Sequence, residues 1–268
     1  MGMSMSVQRV DVCGAPVDCV DRTRAIEHAG RLLSRGRPSA IFAMNPEKVV
    51  QCGKNRELGA VLRSAGLLIP DGIGVVLAAR LLHRERIARV PGCELMPALC
   101  AYAAANGHSV FMFGGAPGVA EAAAAALARV NPTLQIAGWQ HGYVDAEANA
   151  RLIERINALR PDILFVALGS PRQELWIGEN LQRLDVKLCQ AVGGTFDILA
   201  GNVKRAPSVF RVMQLEWLYR LLSQPKRAMR QSALPIFAGR ALRAYAARSF
   251  RRRRRPPSSN TAESKWHE

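Results

Sequence analysis

Leu67-Leu68-Ile69-Pro70-Asp71-Gly72-Ile73-Gly74 is the stretch whose reading decides the fold. Three apolar residues of buried-strand character run into a proline, an aspartate and a glycine, and an apolar helical segment from Ile73 to Leu82 follows directly. A carboxylate is thereby placed at the exit of a strand. In an open α/β sheet ligands bind outside the carboxyl ends of the strands, so Asp71 stands where chemistry is usually done. The position also suits an N-cap, whose carboxylate accepts hydrogen bonds from the first free N–H groups of the next helix. Residue type and position leave both readings open.

The same grammar recurs along the chain. Ala40–Met44 is a short apolar run that stops at Asn45-Pro46-Glu47, a cap residue, a proline at the first helical position and an acid in the first turn, opening a helix through Leu62. Ser109–Phe113 runs into Gly114-Gly115-Ala116-Pro117-Gly118 and an alanine-rich helix. Glycines at such a turn let the backbone approach a phosphate, although the GxGxxG register is missing. Leu134–Trp139 leads to His141-Gly142-Tyr143, and Asp145 caps a helix over 146–159. Ile163–Leu168 is apolar on both faces, as a central parallel strand should be, and ends at Gly169-Ser170-Pro171-Arg172-Gln173-Glu174. Ser170 with Gln173 fits a capping box, which leaves the polar cluster around it unexplained. Leu188–Val192 ends at Gly193-Gly194-Thr195-Phe196-Asp197. Strands alternating with helices predict an α/β fold, a largely parallel Rossmann-like sheet flanked by helices. Polar and glycine residues gather at one rim of it, the pattern of a nucleotide or sugar-nucleotide cleft.

Charge divides the chain. Between Lys204 and Arg255 stand fifteen Lys or Arg against one acid, Glu216, which is +14 of the total +16. The reading is a catalytic domain over 1–203, a basic amphipathic helical appendage over 204–255 and a disordered tail over 256–268. A basic segment carrying Trp217 and leucines on one face suits an anionic membrane surface, where each of Arg251 to Arg255 adds about 1 kcal/mol. Helical spacing from Val209 to Leu222 also suits a last helix packed on the domain. The six cysteines form no CxxC pair or zinc spacing and read as buried hydrophobes in a reducing compartment. No signal-peptide pattern and no run of about 18 apolar residues is present, so the expectation is a cytoplasmic protein that spans nothing.

The succession NPEKVV, PDGIGVV, RVPGCEL, FMFGGAPGVAE, GYV, LGSPRQELWI, AVGGTFDILAG and LEWLYRLLSQPKRAMR, over about residues 40 to 231, resembles the WecG/TagA/CpsF family of bacterial glycosyltransferases. The resemblance implies inverting transfer of a sugar from a UDP-sugar to a polyprenyl-diphosphate-linked saccharide at the inner face of the cell membrane. It makes Asp71 the general base on the acceptor hydroxyl and puts Asn45 near the acceptor sugar. Arg89 and Gln173 line the catalytic pocket in this likeness, and Tyr143 and Asp197 lie near the UDP. Arg220, Arg227 and Arg230 engage the diphosphate or the membrane. Family members commonly carry threonine two residues before the motif asparagine; here that residue is Ala43.

Inverting transfer needs one base and stabilisation of the leaving UDP, so one placed carboxylate suffices. None of the eight aspartates forms a DxD pair, which favours neutralising the diphosphate with arginines and helix N-termini, with no metal or other cofactor. The glycines at Gly114, Gly115, Gly169, Gly193 and Gly194 complete the expected substrate cleft. This reading expects no nucleic-acid partner and leaves homo-oligomers open. Two competitors remain: a basic-tailed nucleic-acid-binding protein with a nucleotide-fold core, and a dinucleotide oxidoreductase built on the Gly114 turn.

Overall fold

The computed structural model describes residues 7–203, 206–207, 210, 219 and 233–253. A hairpin of β1 (Arg9–Val12) and β2 (Ala15–Asp18) precedes the main sheet. That sheet contains β3 (Ser39–Met44), β4 (Leu67–Pro70), β5 (Ser109–Gly114), β6 (Gln135–Gln140), β7 (Ile163–Ala167) and β8 (Leu188–Ala191). Their order is β4-β3-β8-β7-β5-β6 and every pairing is parallel. All six strand exits therefore open on one edge, as the alternating pattern predicts.

Helices cover both faces. On one lie α1 (Arg22–Leu33), α5 (Gly92–Asn106), α6 (Val119–Val130) and α9 (Thr195–Leu199), packed on Ile41, Leu67, Val110 and Phe165. On the other lie α2 (Pro46–Cys52), α3 (Arg56–Ser64), α4 (Ile73–His83), α7 (Ala146–Leu159) and α8 (Arg172–Asn180), packed on Phe42, Leu68, Phe111 and Val166. Neighbouring residues of one strand thus serve opposite cores, which is why the strands read as continuous apolar runs. The hairpin closes the β4 edge. Asp18 is buried, takes a bidentate pair from Arg9 (2.8 and 2.9 Å) and accepts the Leu68 N–H at 2.7 Å. That pairing satisfies an N–H that an open edge strand would expose.

Local capping explains most helix starts. Asp21, Asn45 and Asp145 each accept the N–H three residues on, at 2.8 Å. Three boundaries depart from the sequence reading. The helix expected from Pro46 to Leu62 is two, because Gly53 ends α2 and Asn55 caps α3 by accepting the Leu58 N–H at 3.0 Å. Ser170 and Gln173 form no capping box: α8 begins at Arg172 behind Pro171 with no side-chain cap. It also stops at Asn180 rather than Leu184.

A long helix, Ala233–Arg253, packs on α2 and α4. Of the stretch 209–222, expected as a helix, only Phe210 and Tyr219 are among the described residues, their ring centroids 5.5 Å apart; Arg220, Arg227, Arg230 and the tail from 256 lie outside them. Among the described residues no helix is long and apolar enough to cross a membrane.

Candidate functional site

The exits of β3 and β4 lie side by side. Met44 is the register partner of Pro70, and the Asp71 N–H donates to the Met44 carbonyl at 2.8 Å. Asn45 and Asp71 therefore leave adjacent strands at one level. Asp71 is half-buried and stands one residue outside the cap of α4: the N-cap is Gly72, whose φ of +104° suits glycine. The N-cap position thus falls to Gly72 and not to Asp71. The loop before α5 crosses the same exit, since the Val90 N–H donates to the Pro70 carbonyl at 2.7 Å. This brings the backbone of the loop that carries half-buried Arg89 to the β4 exit. Ala43 is half-buried and faces the start of α5, with its Cβ 3.7 Å from where a side chain on Gly92 would begin.

A second group of exits meets between β5 and β7. β7 connects to β8 on one side and β5 to β6 on the other, so the neighbours β5 and β7 form the topological switch point of the sheet, where open α/β sheets take ligands. Three loops are knitted together there. The Gly115 N–H donates to the Ala167 carbonyl (3.0 Å) and the Gly142 N–H to the Gly115 carbonyl (2.8 Å). Gly114 has φ +130°, and a Cβ on it would collide with the Ala167 carbonyl. The glycines here are needed for close backbone approach, whether or not a phosphate also lies there. Gly169, φ +76°, has open space where a side chain would be. Tyr143, next to Gly142, is 75% exposed, which leaves its ring available to a ligand at this rim. Gly193, Gly194 and half-buried Asp197 follow β8, the strand between these two groups.

A buried polar chain ties the exits of β3, β7 and β8. Asn45 Oδ1 accepts the Lys48 N–H at 2.8 Å, and Lys48 Nζ reaches Glu174 Oε1 at 2.7 Å. The same Glu174 oxygen accepts from Gln173 Nε2 at 2.9 Å, while Gln173 Oε1 accepts the Gly193 N–H at 3.0 Å. Lys48 and Glu174 are almost wholly enclosed. Burial alone pushes the Glu174 carboxyl up, but the Lys48 ammonium and the hydrogen bonds from Lys48, Gln173 and Ser170 outweigh it and hold the group below the usual carboxylate range. Gln173 is itself 4% exposed, so its amide braces the β8 loop.

The sequence reading did not single out Lys48 and Glu174. Two signals could have found them: Glu174 sits in the polar cluster that no cap explains, and Lys48 falls on the inner side of a helix whose next two residues are buried valines. Among the described residues no three His, Cys, Asp or Glu side chains gather as a metal site would require.

The glycosyltransferase family description WecG/TagA/CpsF matches residues 10–252. Two curated relatives, from Staphylococcus aureus strains MRSA252 and MW2, are each 33% identical over 231 residues, covering 85% of this chain and 90% of theirs. Both are N-acetylglucosaminyldiphosphoundecaprenol N-acetyl-beta-D-mannosaminyltransferases. A match of this extent decides against the nucleic-acid-binding and oxidoreductase readings. With an all-parallel sheet, a glycine-lined switch point and a carboxylate beside the motif asparagine, the chain belongs to the WecG/TagA/CpsF family and is a glycosyltransferase.

Proposed function

We propose that this enzyme moves a hexose or N-acetylhexosamine, of the N-acetylmannosamine or glucose type, from a UDP-sugar to a polyprenyl-diphosphate-linked saccharide. The product is a precursor of a bacterial cell-surface polysaccharide, and the work is done at the inner face of the cell membrane. The observation that carries the reading is the adjacency of Asn45, Asp71 and the Arg89 loop at the β3 and β4 exits, in a chain whose relatives act on lipid-diphosphate sugars.

Asp71 removes the proton from the acceptor hydroxyl as that oxygen attacks the anomeric carbon of the donor. The new C–O bond forms on the face opposite the breaking bond, and UDP leaves with the electron pair. The anomeric configuration inverts in one displacement. The switch-point exits, with Gly114, Gly115, Gly169 and Tyr143, are the seat for the nucleotide, and Gly193 to Asp197 border it. Arg89, with Arg220, Arg227 and Arg230 from the appendage, neutralises the diphosphates without a metal.

Incubating the purified enzyme with a panel of UDP-sugars and a lipid-diphosphate-linked GlcNAc acceptor, with and without EDTA, tests this. One UDP-sugar should be consumed with an inverted linkage and no effect of EDTA. Turnover lost in EDTA and restored by a divalent cation would refute the metal-free step, and no transfer from any UDP-sugar would refute the donor class.

A further inference from the structure

The exits of β3, β8 and β7 are neighbours in the sheet, with β8 in the middle. Asn45 leaves β3 on one side of β8, and the β7 exit, part of the switch point, lies on the other. The helices that follow β3 and β7 are α2 and α8, and both lie on the same face. Their first turns are joined over the β8 position by Lys48 and Glu174, Nζ to Oε1 at 2.7 Å. Both side chains are buried, so neither is open to a substrate.

The pair dictates the polarity of two amides. An ionised carboxylate only accepts hydrogen bonds. Gln173 must therefore present Nε2 to Glu174, at 2.9 Å, which leaves Oε1 for the Gly193 N–H, at 3.0 Å. Burial pushes the Glu174 carboxyl up, but the Lys48 ammonium and the hydrogen bonds around it outweigh that and keep the group ionised. An apolar residue in place of Glu174 would let the Gln173 amide turn over and set an N–H against the Gly193 N–H. At the other end, Asn45 Oδ1 is taken by the Lys48 N–H at 2.8 Å. Its NH2 is the end left to meet a ligand at the half-buried rim. Lys48 thus holds Asn45 through its backbone and, with its side chain, reaches Gln173 and the β8 loop through Glu174.

We infer that Lys48 and Glu174 are positioning residues for sugar transfer: the buried pair holds the Asn45 amide on the acceptor side and the Gly193 loop on the donor side at a set separation and with a set polarity. A pair that served stability alone could be replaced by apolar side chains of similar size. Two amides of dictated polarity could not be kept that way. A misplacement of bound reactants by about 1 Å can cost about 100-fold in rate. Loss of the pair should therefore slow the bound complex and leave the contacts that hold each substrate in place. The inference rests on the proposed function, which puts transfer at the β3 and β4 exits, and adds to it two residues that touch neither substrate.

Two double variants of the full chain test it, Lys48→Met/Glu174→Leu and Lys48→Met/Glu174→Gln, neither of which leaves a buried charge unpaired. With the UDP-sugar that the unsubstituted enzyme prefers and lipid-diphosphate-linked GlcNAc, the readouts are the single-turnover rate at saturation and the concentration of each substrate at half-maximal rate. The Leu variant should be about 100-fold slower, with both half-maximal concentrations within about threefold of those of the unsubstituted enzyme. The Gln variant returns an oxygen that can accept from Gln173 Nε2, and should regain about tenfold or more of that rate. If the Leu variant does not fold, Gln173→Met takes its place: it removes the amide, keeps the ion pair and should show the same fall in rate at unchanged half-maximal concentrations. A loss carried by the half-maximal concentrations alone would make the pair a support for substrate contacts and overturn the inference. A Gln variant no faster than the Leu variant would overturn it as well. Asp71→Asn is the control that separates the two readings. If it is inactive while the Leu variant keeps the full rate, the inference alone fails; if it transfers at the full rate, the proposed site fails and the inference with it.

Discussion

At the strand exits, Lys48, Gln173 and Glu174 are buried and hydrogen-bonded to one another; on the outer face of α4 and the long helix, leucines and arginines stand in solvent. The first region is a closed chain, Asn45 to Lys48 to Glu174 to Gln173 to Gly193, that fixes three loops relative to one another. The second has exposed apolar surface and guanidiniums outside any described ion pair. A site that must hold reacting groups in place benefits from the former, because each buried partner is costly to displace. A surface that waits for something outside the chain needs the latter. Substitutions should therefore damage the two regions in different ways.

The largest effect is expected at the buried pair. Glu174→Leu leaves the Lys48 ammonium enclosed without its carboxylate and should cost about 3–5 kcal/mol in urea unfolding. Lys48→Met combined with Glu174→Leu should recover most of that stability, because replacing a whole buried pair with apolar groups is often neutral. Turnover of the double variant should stay low, since the anchor of the Gln173 amide is gone. Full recovery of turnover along with stability would reduce the pair to a packing element.

The pair also carries a pH signature. The Glu174 pKa is depressed in the folded protein, so its contribution is complete above the unfolded value of about 4.3 and is lost as pH falls through the lower folded value. The stability gap between the unsubstituted enzyme and Glu174→Gln should accordingly be flat near neutrality and close in acid. A gap that widened below pH 4 would contradict the assignment.

A smaller effect, about 2–4 kcal/mol, is expected for Gly114→Ala, which combines a left-handed φ with a backbone collision. On the other region, Leu77→Ser/Leu81→Ser should change unfolding free energy by only about 0.5 kcal/mol per site, as exposed substitutions do. A large loss there would mean that those leucines support the fold rather than await a partner.

The sheet was readable because its strands are short apolar runs ended by glycine or by a cap such as Asn45, and parallel order then follows from the alternation with helices. The rim was readable for the same reason: once the strands are parallel, Asn45, Asp71, Gly114, Gly169 and Gly193 must share an edge. Interactions between distant parts of the chain were not readable. Lys48 and Glu174 are 126 residues apart, and nothing in either segment names the other. Nothing in the residues around Asp18 names its partner, yet it closes the edge of the main sheet through Leu68. At Asp71-Gly72 the local signal was ambiguous, since both residues accept the cap position; the positive φ of the glycine decided it.

The central claim is that sugar transfer occurs at the exits of β3 and β4 with Asp71 as the base. Asp71→Asn keeps the size and polarity of the side chain and removes its basicity. Measured on one preparation, single-turnover transfer from the preferred UDP-sugar should fall by about 100-fold or more, donor binding should be unchanged, and unfolding free energy should move by no more than about 1 kcal/mol. An Asp71→Asn enzyme that folds, binds the donor and transfers sugar at the full rate would contradict the account.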